Sequence, residues 1–139
     1  MTIPPLAPDI TFEPMTDATA DFDFAFEVKK RAMGPHIKVK WGWDEDLQRQ
    51  MHSDRYTAKK LFAIAQNGTR IGTLNFQRED TYFRIGEFYI QPDLQSTGIG
   101  SRILEHCIAI ADAEGIPMRL EYLHWNHVGR LYRRHGFTD

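Results

Sequence analysis

The chain has 139 residues, 42% of them apolar, and its 17 basic and 19 acidic side chains leave a formal net charge of −2. That length suits one domain burying about two thirds of its unfolded surface, and the near-balance of charge gives no general attraction to nucleic acid or to an anionic membrane. One cysteine cannot close an intramolecular disulfide, and no run resembles a signal peptide or a span of about 20 apolar residues, so a reducing, cytoplasmic setting is expected.

Residues 1–9, with three prolines and no periodic pattern, read as a flexible lead-in to a domain over 10–139. Ile10 and Phe12 alternate with polar residues as a short strand. From Asp17 to Met33, Phe22, Ala25, Phe26, Ala32 and Met33 trace an amphipathic helix that Gly34-Pro35 should stop. A weaker helix starts near Asp44 and carries Leu47 and Met51. Leu61–Ala65 and Arg70–Phe76 read as strands joined by Asn67-Gly68, a hairpin signal. Tyr82–Ile90 is a fourth, aromatic-rich strand, ended by Pro92. Ile103, Leu104, Cys107, Ile108 and Ala111 then recur at helical spacing up to Gly115, and Cys107 on that face reads as a small core hydrophobe. A strand at Met118–Leu123 and a helix from Asn126 or His127 to His135 complete the order β-α-α-β-β-β-α-β-α. The hairpin demands antiparallel pairing and the strand-helix-strand unit a parallel right-handed crossover, which together predict an α/β fold with a mixed sheet.

The segment Gln95-Ser96-Thr97-Gly98-Ile99-Gly100-Ser101 is the most informative. It joins the aromatic strand to a helix, so backbone N–H groups and the positive end of the helix dipole converge where a phosphate could sit. Read alone, it is either an anion-binding loop or an ordinary strand-to-helix connection.

Two matches in register give the loop a wider meaning. Gln95, Gly98 and Gly100 follow Glu87-Phe88-Tyr89-Ile90-Gln91-Pro92, and Asn126, Leu131, Tyr132, Gly136 and Phe137 follow the last strand. The pair resembles the two signatures of the GNAT superfamily of acyl-CoA-dependent N-acetyltransferases. The resemblance implies a single-domain fold with splayed parallel strands around the cofactor loop, and acetyl-CoA as co-substrate. It implies direct transfer of acetyl to a primary amine of a small molecule or peptide, with no metal. The family ordinarily continues past Gly-Phe into another strand, so the C-terminal strand is expected to be missing or supplied by a partner, as in a homodimer. A catalytically silent acyl-CoA sensor is the alternative, with a dinucleotide site as a more distant one. Glu121 lies at a suitable distance for the latter, but the G-x-G-x-x-G fingerprint is incomplete.

By the same resemblance, residues 95–101 hold the pyrophosphate, backbone of Phe88, Tyr89, Ile90 and Gln91 pairs with the pantetheine arm, and Asn126 holds that arm while also capping its helix. An N–H of Tyr89 or Ile90 is the oxyanion donor. Tyr132 is the general acid, although helical spacing with Val128, Leu131 and His135 equally suits a core tyrosine. Glu87, which strict alternation puts on one face with Phe83, Ile85 and Tyr89, is the base candidate or a partner of Arg84 or Arg119. Arg133, in a basic cluster with Arg130, Arg134, His127 and His135, is the candidate for a coenzyme phosphate. Trp41, Trp43, Asp44 and Glu45 lie where the family forms its acceptor pocket, or else form a hydrophobic corner before an acidic helix start. His124 and His127 lack the further ligands that a metal site requires.

Overall fold

The computed structural model of the chain describes residues 2–56, 61–95, 97–120 and 132–137, without the side chains of 36, 37, 39–41 and 55. Its order is β1 (Ile10–Pro14), α1 (Thr19–Trp41), α2 (Glu45–Tyr56), β2 (Phe62–Gln66), β3 (Thr69–Arg78), β4 (Phe83–Ile90), a 3-10 turn (Pro92–Leu94), α3 (Ile99–Glu114) and β5 (Met118–Leu120). The strands form one sheet in the order β1-β2-β3-β4-β5, antiparallel except for the β4–β5 pair. This is the mixed α/β arrangement expected. The parallel pairing runs from Phe83↔Met118 to Ile85↔Leu120, and the stretch where the strands should splay lies outside the described residues, as does most of the last helix. Residues 132–134 form a helical turn.

The sheet divides two packed layers. On one side Ile99, Ile103, Leu104, Cys107 and Ala111 of α3 join Ile10, Phe12, Leu74, Phe76, Phe83, Ile85, Phe88 and Ile90 in the main core. On the other, α1 packs Ala32 and Met33 against Trp43 and Tyr89. Asn67 and Gly68 turn the β2–β3 hairpin with φ of 52° and 84°, the left-handed pair that a two-residue turn requires. Burial pushes the Cys107 thiol up to about 12, which makes it an inert core group.

Two expectations are corrected. Gly34-Pro35 does not end the first helix, which continues to Trp41 and stops at Gly42. Pro35 forfeits one backbone bond, but its ring crowds the Cβ of the preceding residue, and Gly34 has none; burial of Ala32 and Met33 then outweighs the loss. Leu47 is not a core residue of α2, being 54% exposed; His52 and Tyr56 are buried instead. Residues ahead of β1 also make contacts with the domain. Ile3 is buried in the main core, Leu6 and Ile10 exchange backbone hydrogen bonds, and Asp9 pairs with Arg102 at 2.7 Å. That pair, with Gln66, holds the Asp9 carboxyl down at about 2.

Gly72 on β3 tests the packing of the sheet. A Cβ there would collide with the carbonyl oxygen of Tyr89 and come within 3.2 Å of Ile90 Cα. Backbone cannot swing aside as a side chain can, so Gly72→Ala should cost about 1–3 kcal/mol. Urea unfolding should give a lower midpoint with an unchanged slope, and an unaltered midpoint would refute the close approach of β3 to β4.

Candidate active site

The site is organised by an irregularity in β4. Leu74 opposes Phe88 and Phe76 opposes Ile85, so Gly86 and Glu87 together face the single residue Asn75. Such a bulge bends the strand and shifts the phase of its side chains. Burial along β4 follows that shift: Phe83 and Ile85 are buried before it, Phe88 and Ile90 after it, all in the main core. Glu87 therefore does not share a face with Phe83 and Ile85, as strict alternation predicts. It lies toward α1 with Tyr89 and is 8% exposed. Gly86 is required locally, because a Cβ would sit 2.6 Å from the Asn75 amide oxygen. That oxygen, fully buried, accepts a hydrogen bond from Arg84 at 3.4 Å.

Past the bulge, backbone polarity is fixed by two contacts. Gln91 N–H donates to Ile71 O at 2.9 Å, and the Tyr89 carbonyl lies against Gly72. Both residues thus turn their backbone groups to β3, and by alternation Phe88 and Ile90 turn theirs to the opposite side, where β5 lies. Of the two oxyanion-donor candidates, the Ile90 N–H faces the β5 side of the strand and the Tyr89 N–H faces β3.

The loop is tied to the end of β4. The Gln95 side-chain amide donates to Ile90 O at 3.0 Å, and Thr97 Oγ1 donates to Leu94 O at 2.6 Å. Gly98 caps α3 at φ 88°, and a Cβ added to it would meet nothing within 4 Å, so its requirement is conformational, not steric. The first backbone bond of α3 runs from Arg102 N–H to Gly98 O. The N–H groups of Ile99, Gly100 and Ser101 consequently precede the helical ladder, at the positive end of the dipole. Ile99 itself is buried. Ser96 lies outside the described residues.

Tyr132 is 2% exposed and packs edge-on to Phe137, with ring centroids 6.1 Å apart, in the main core. Tyr132 and Glu87 thus belong to opposite layers of the sheet, with β4 between them. Arg133 is exposed, and His135 Nε2 lies 3.2 Å from Glu105. Asn126 lies outside the described residues, as do His124 and His127; among those described, no group of three His, Cys, Asp or Glu residues is placed to hold a metal. No described helix is long and apolar enough to cross a membrane.

The acidic run before α2 has local duties. Asp44 accepts the Leu47 N–H at 3.1 Å, as a helix cap does. Glu45 accepts from the Trp43 indole at 2.7 Å and pairs with Lys30 at 3.0 Å, and these partners hold its carboxyl below the usual range. Trp43 is half-buried over Gly34, while the side chain of Trp41 is outside those described. Sequence reasoning missed His52, which is 3% exposed. Its i, i+4 spacing to Tyr56 was the available signal, masked by the low hydropathy of both residues.

The chain matches the family model described as an acetyltransferase (GNAT) domain over residues 58–139. Solved structures repeat the fold. The PaiA N-acetyltransferase of Thermoplasma acidophilum, in complex with coenzyme A, is 17% identical with a TM-score of 0.68, over 92% of this chain and 90% of that one. A ribosomal-protein alanine N-acetyltransferase of Escherichia coli is 23% identical with a TM-score of 0.63, over 94% and 78%. A GNAT family acetyltransferase of Brucella melitensis, in complex with acetyl-CoA, is 17% identical with a TM-score of 0.54, over 92% and 83%. No curated protein sequence matches the chain.

Proposed function

The chain belongs to the GNAT acetyltransferases, and from that premise we propose that it transfers acetyl from acetyl-CoA to a primary amine of a small molecule or peptide in a direct ternary complex. The observation that carries this reading is the Gln95–Ser101 loop, tied by Gln95 to Ile90 O and opening through Gly98 into α3. Backbone N–H groups ahead of the α3 ladder offer the pyrophosphate charge-assisted hydrogen bonds worth about 1.5–3 kcal/mol each. Backbone of Phe88 and Ile90, turned away from β3, takes the pantetheine arm, and Asn126 and Arg133 bind the rest of the coenzyme. Structural neighbours solved in complex with coenzyme A or acetyl-CoA support the same choice of co-substrate.

Transfer then needs three acts. Glu87 removes a proton from the ammonium so that the nitrogen lone pair can attack the thioester carbon. Ile90 N–H stabilises the oxyanion as the carbonyl π bond breaks. Tyr132 protonates the sulfur as the carbon–sulfur bond breaks and the carbonyl re-forms, the second excess proton on the nitrogen leaves to water, and Tyr132 recovers its own proton from solvent. The amine enters beside Trp43 and Trp41. Asp44 and Glu45 shape the rim, since their carboxylates already serve Leu47, Trp43 and Lys30.

A panel assay of thiol release from acetyl-CoA with polyamines, amino acids, aminoglycosides and peptides tests the reaction. Coenzyme binding without turnover on any of them would leave an acyl-CoA sensor. Gly98→Val tests the loop separately: a β-branched residue at φ 88° is strained, and the donors beside it shift. Acetyl-CoA affinity should fall by about 2 kcal/mol, roughly thirtyfold in Kd. Calorimetry showing unchanged affinity in the folded variant would remove the loop from the coenzyme site.

A further inference from the structure

The chain ahead of β1 runs along one face of α3 toward the N-terminal end of that helix. The His106 ring donates from Nε2 to Pro4 O at 2.8 Å, and one turn earlier on the helix Arg102 donates to Ala7 O at 3.4 Å. Arg102 also holds Asp9 with both arms of its fork, at 2.7 and 3.2 Å, the bidentate geometry that makes such a pair directional as well as strong. Isolated pairs near the surface add little to stability, but Asp9 has further partners. Its carboxylate accepts from the Gln66 amide at 2.8 Å, and its backbone oxygen accepts from Asn67 N–H at 2.8 Å. Arg102 is thereby fastened, through one residue, to the turn of the β2–β3 hairpin.

The same hairpin holds the chain just before the coenzyme loop. Gln91, the residue ahead of the 3-10 turn, donates its N–H to Ile71 O of β3 at 2.9 Å. The chain from 92 to 101 therefore lies, in sequence, between two polar links to one hairpin, Gln91 at its start and Arg102 at its end. Arg102 N–H is also the first donor of the α3 ladder, bonded to Gly98 O at 3.1 Å. The residue that closes the span is thus the one that follows the free N–H groups directly. Ile99, Ile103 and Leu104 hold α3 against the sheet. Apolar burial has no preferred direction, whereas a forked guanidinium–carboxylate pair fixes both distance and angle, and a binding constellation has to be held to within about 0.5 Å.

We propose that Arg102 is a positioning residue for the coenzyme: paired with Asp9, it sets the first turn of α3 so that the N–H groups of Ile99, Gly100 and Ser101 converge on the pyrophosphate. Its guanidinium is committed to Asp9 and to Ala7 O, so it acts through the helix and not as a ligand of phosphate. The stretch ahead of β1 becomes part of the coenzyme site without touching the coenzyme. Arg102 takes no part in the proton transfers given to Glu87 and Tyr132, and its role is one of affinity.

The inference rests on the proposed coenzyme site, and calorimetry of acetyl-CoA binding to the folded full chain, beside its melting temperature, tests it. Arg102→Met keeps the stem and removes the fork; Asp9→Asn keeps an oxygen for Gln66 and removes the charge. Each should raise the Kd for acetyl-CoA about two- to thirtyfold, the reach of a residue that acts through its neighbours. The double variant should lose no more than the worse of the two, since both substitutions break one link. Arg102→Lys, which retains a charge for Asp9 without the fork, should recover part of the affinity. A role in stability alone would lower the melting temperature and leave Kd unchanged in the folded variants, and that result overturns the proposal. So does tighter binding by Asp9→Asn with weaker binding by Arg102→Met, the mark of an arginine that contacts phosphate directly. Amide spectra of the free chain give a second reading: Asp9→Asn should displace the Gly98, Gly100 and Ser101 resonances, and unmoved resonances overturn the proposal as well. If the wild type binds no acetyl-CoA, the coenzyme site falls and this inference with it; wild-type binding that neither substitution disturbs removes the inference alone.

Discussion

Replacing Tyr132 with phenylalanine should lower turnover about 10- to 1,000-fold, the range over which loss of a positioned proton donor is felt, while coenzyme affinity changes little. The side chain is 2% exposed and sits in the main core against Phe137. Phenylalanine keeps the ring and its packing and deletes only the hydroxyl. Loss of one ordinary hydrogen bond costs about 0.5–1.5 kcal/mol, which a domain of this size tolerates. Stability and rate therefore separate the two roles a buried tyrosine can have. A fall of several kcal/mol in unfolding free energy, with normal turnover per folded molecule, would make Tyr132 a core residue and leave the proton donor to be found elsewhere.

Periodicity makes most of the fold legible, because the strands and α3 bury residues at their expected spacings and Asn67-Gly68 has one economical conformation. It fails where packing overrides a local rule. Pro35 lies inside α1 because Gly34 relieves the crowding that normally ends a helix there. In α2 the buried face runs through His52 and Tyr56, two residues that hydropathy ranks low, while Leu47 faces solvent. The glycine of the loop is legible as a conformational need, since Gly98 caps α3 at φ 88°. Strict alternation puts Glu87 on β4 but on the wrong face, since one extra residue inverts a period of two. The sign of that bulge is present in the sequence: Gly86 interrupts a strand otherwise rich in large side chains.

Glu87→Gln should slow acetyl transfer near neutral pH and restore it in alkali. A lysine-like amine with a pKa of about 10.4 is neutral in roughly one molecule in a few thousand at pH 7, so an enzyme that relied on that fraction would be slow. Glutamine preserves the shape of Glu87 and most of its hydrogen bonding, but it cannot accept the proton. The wild type should therefore keep its kcat/KM well below the pH at which the free amine ionises. The variant's kcat/KM should climb about tenfold per pH unit until the amine is deprotonated without help. Position supports the experiment, since the bulge opposite Asn75 turns Glu87 toward α1 and the layer that holds Trp43 and His52, not into the main core. Acetyl-CoA affinity measured alongside separates proton transfer from damage to the strand that carries Ile90. Two parallel pH profiles of equal height would assign Glu87 to structure. The proton acceptor would then have to be sought among Glu121, Asp44 or an ordered water.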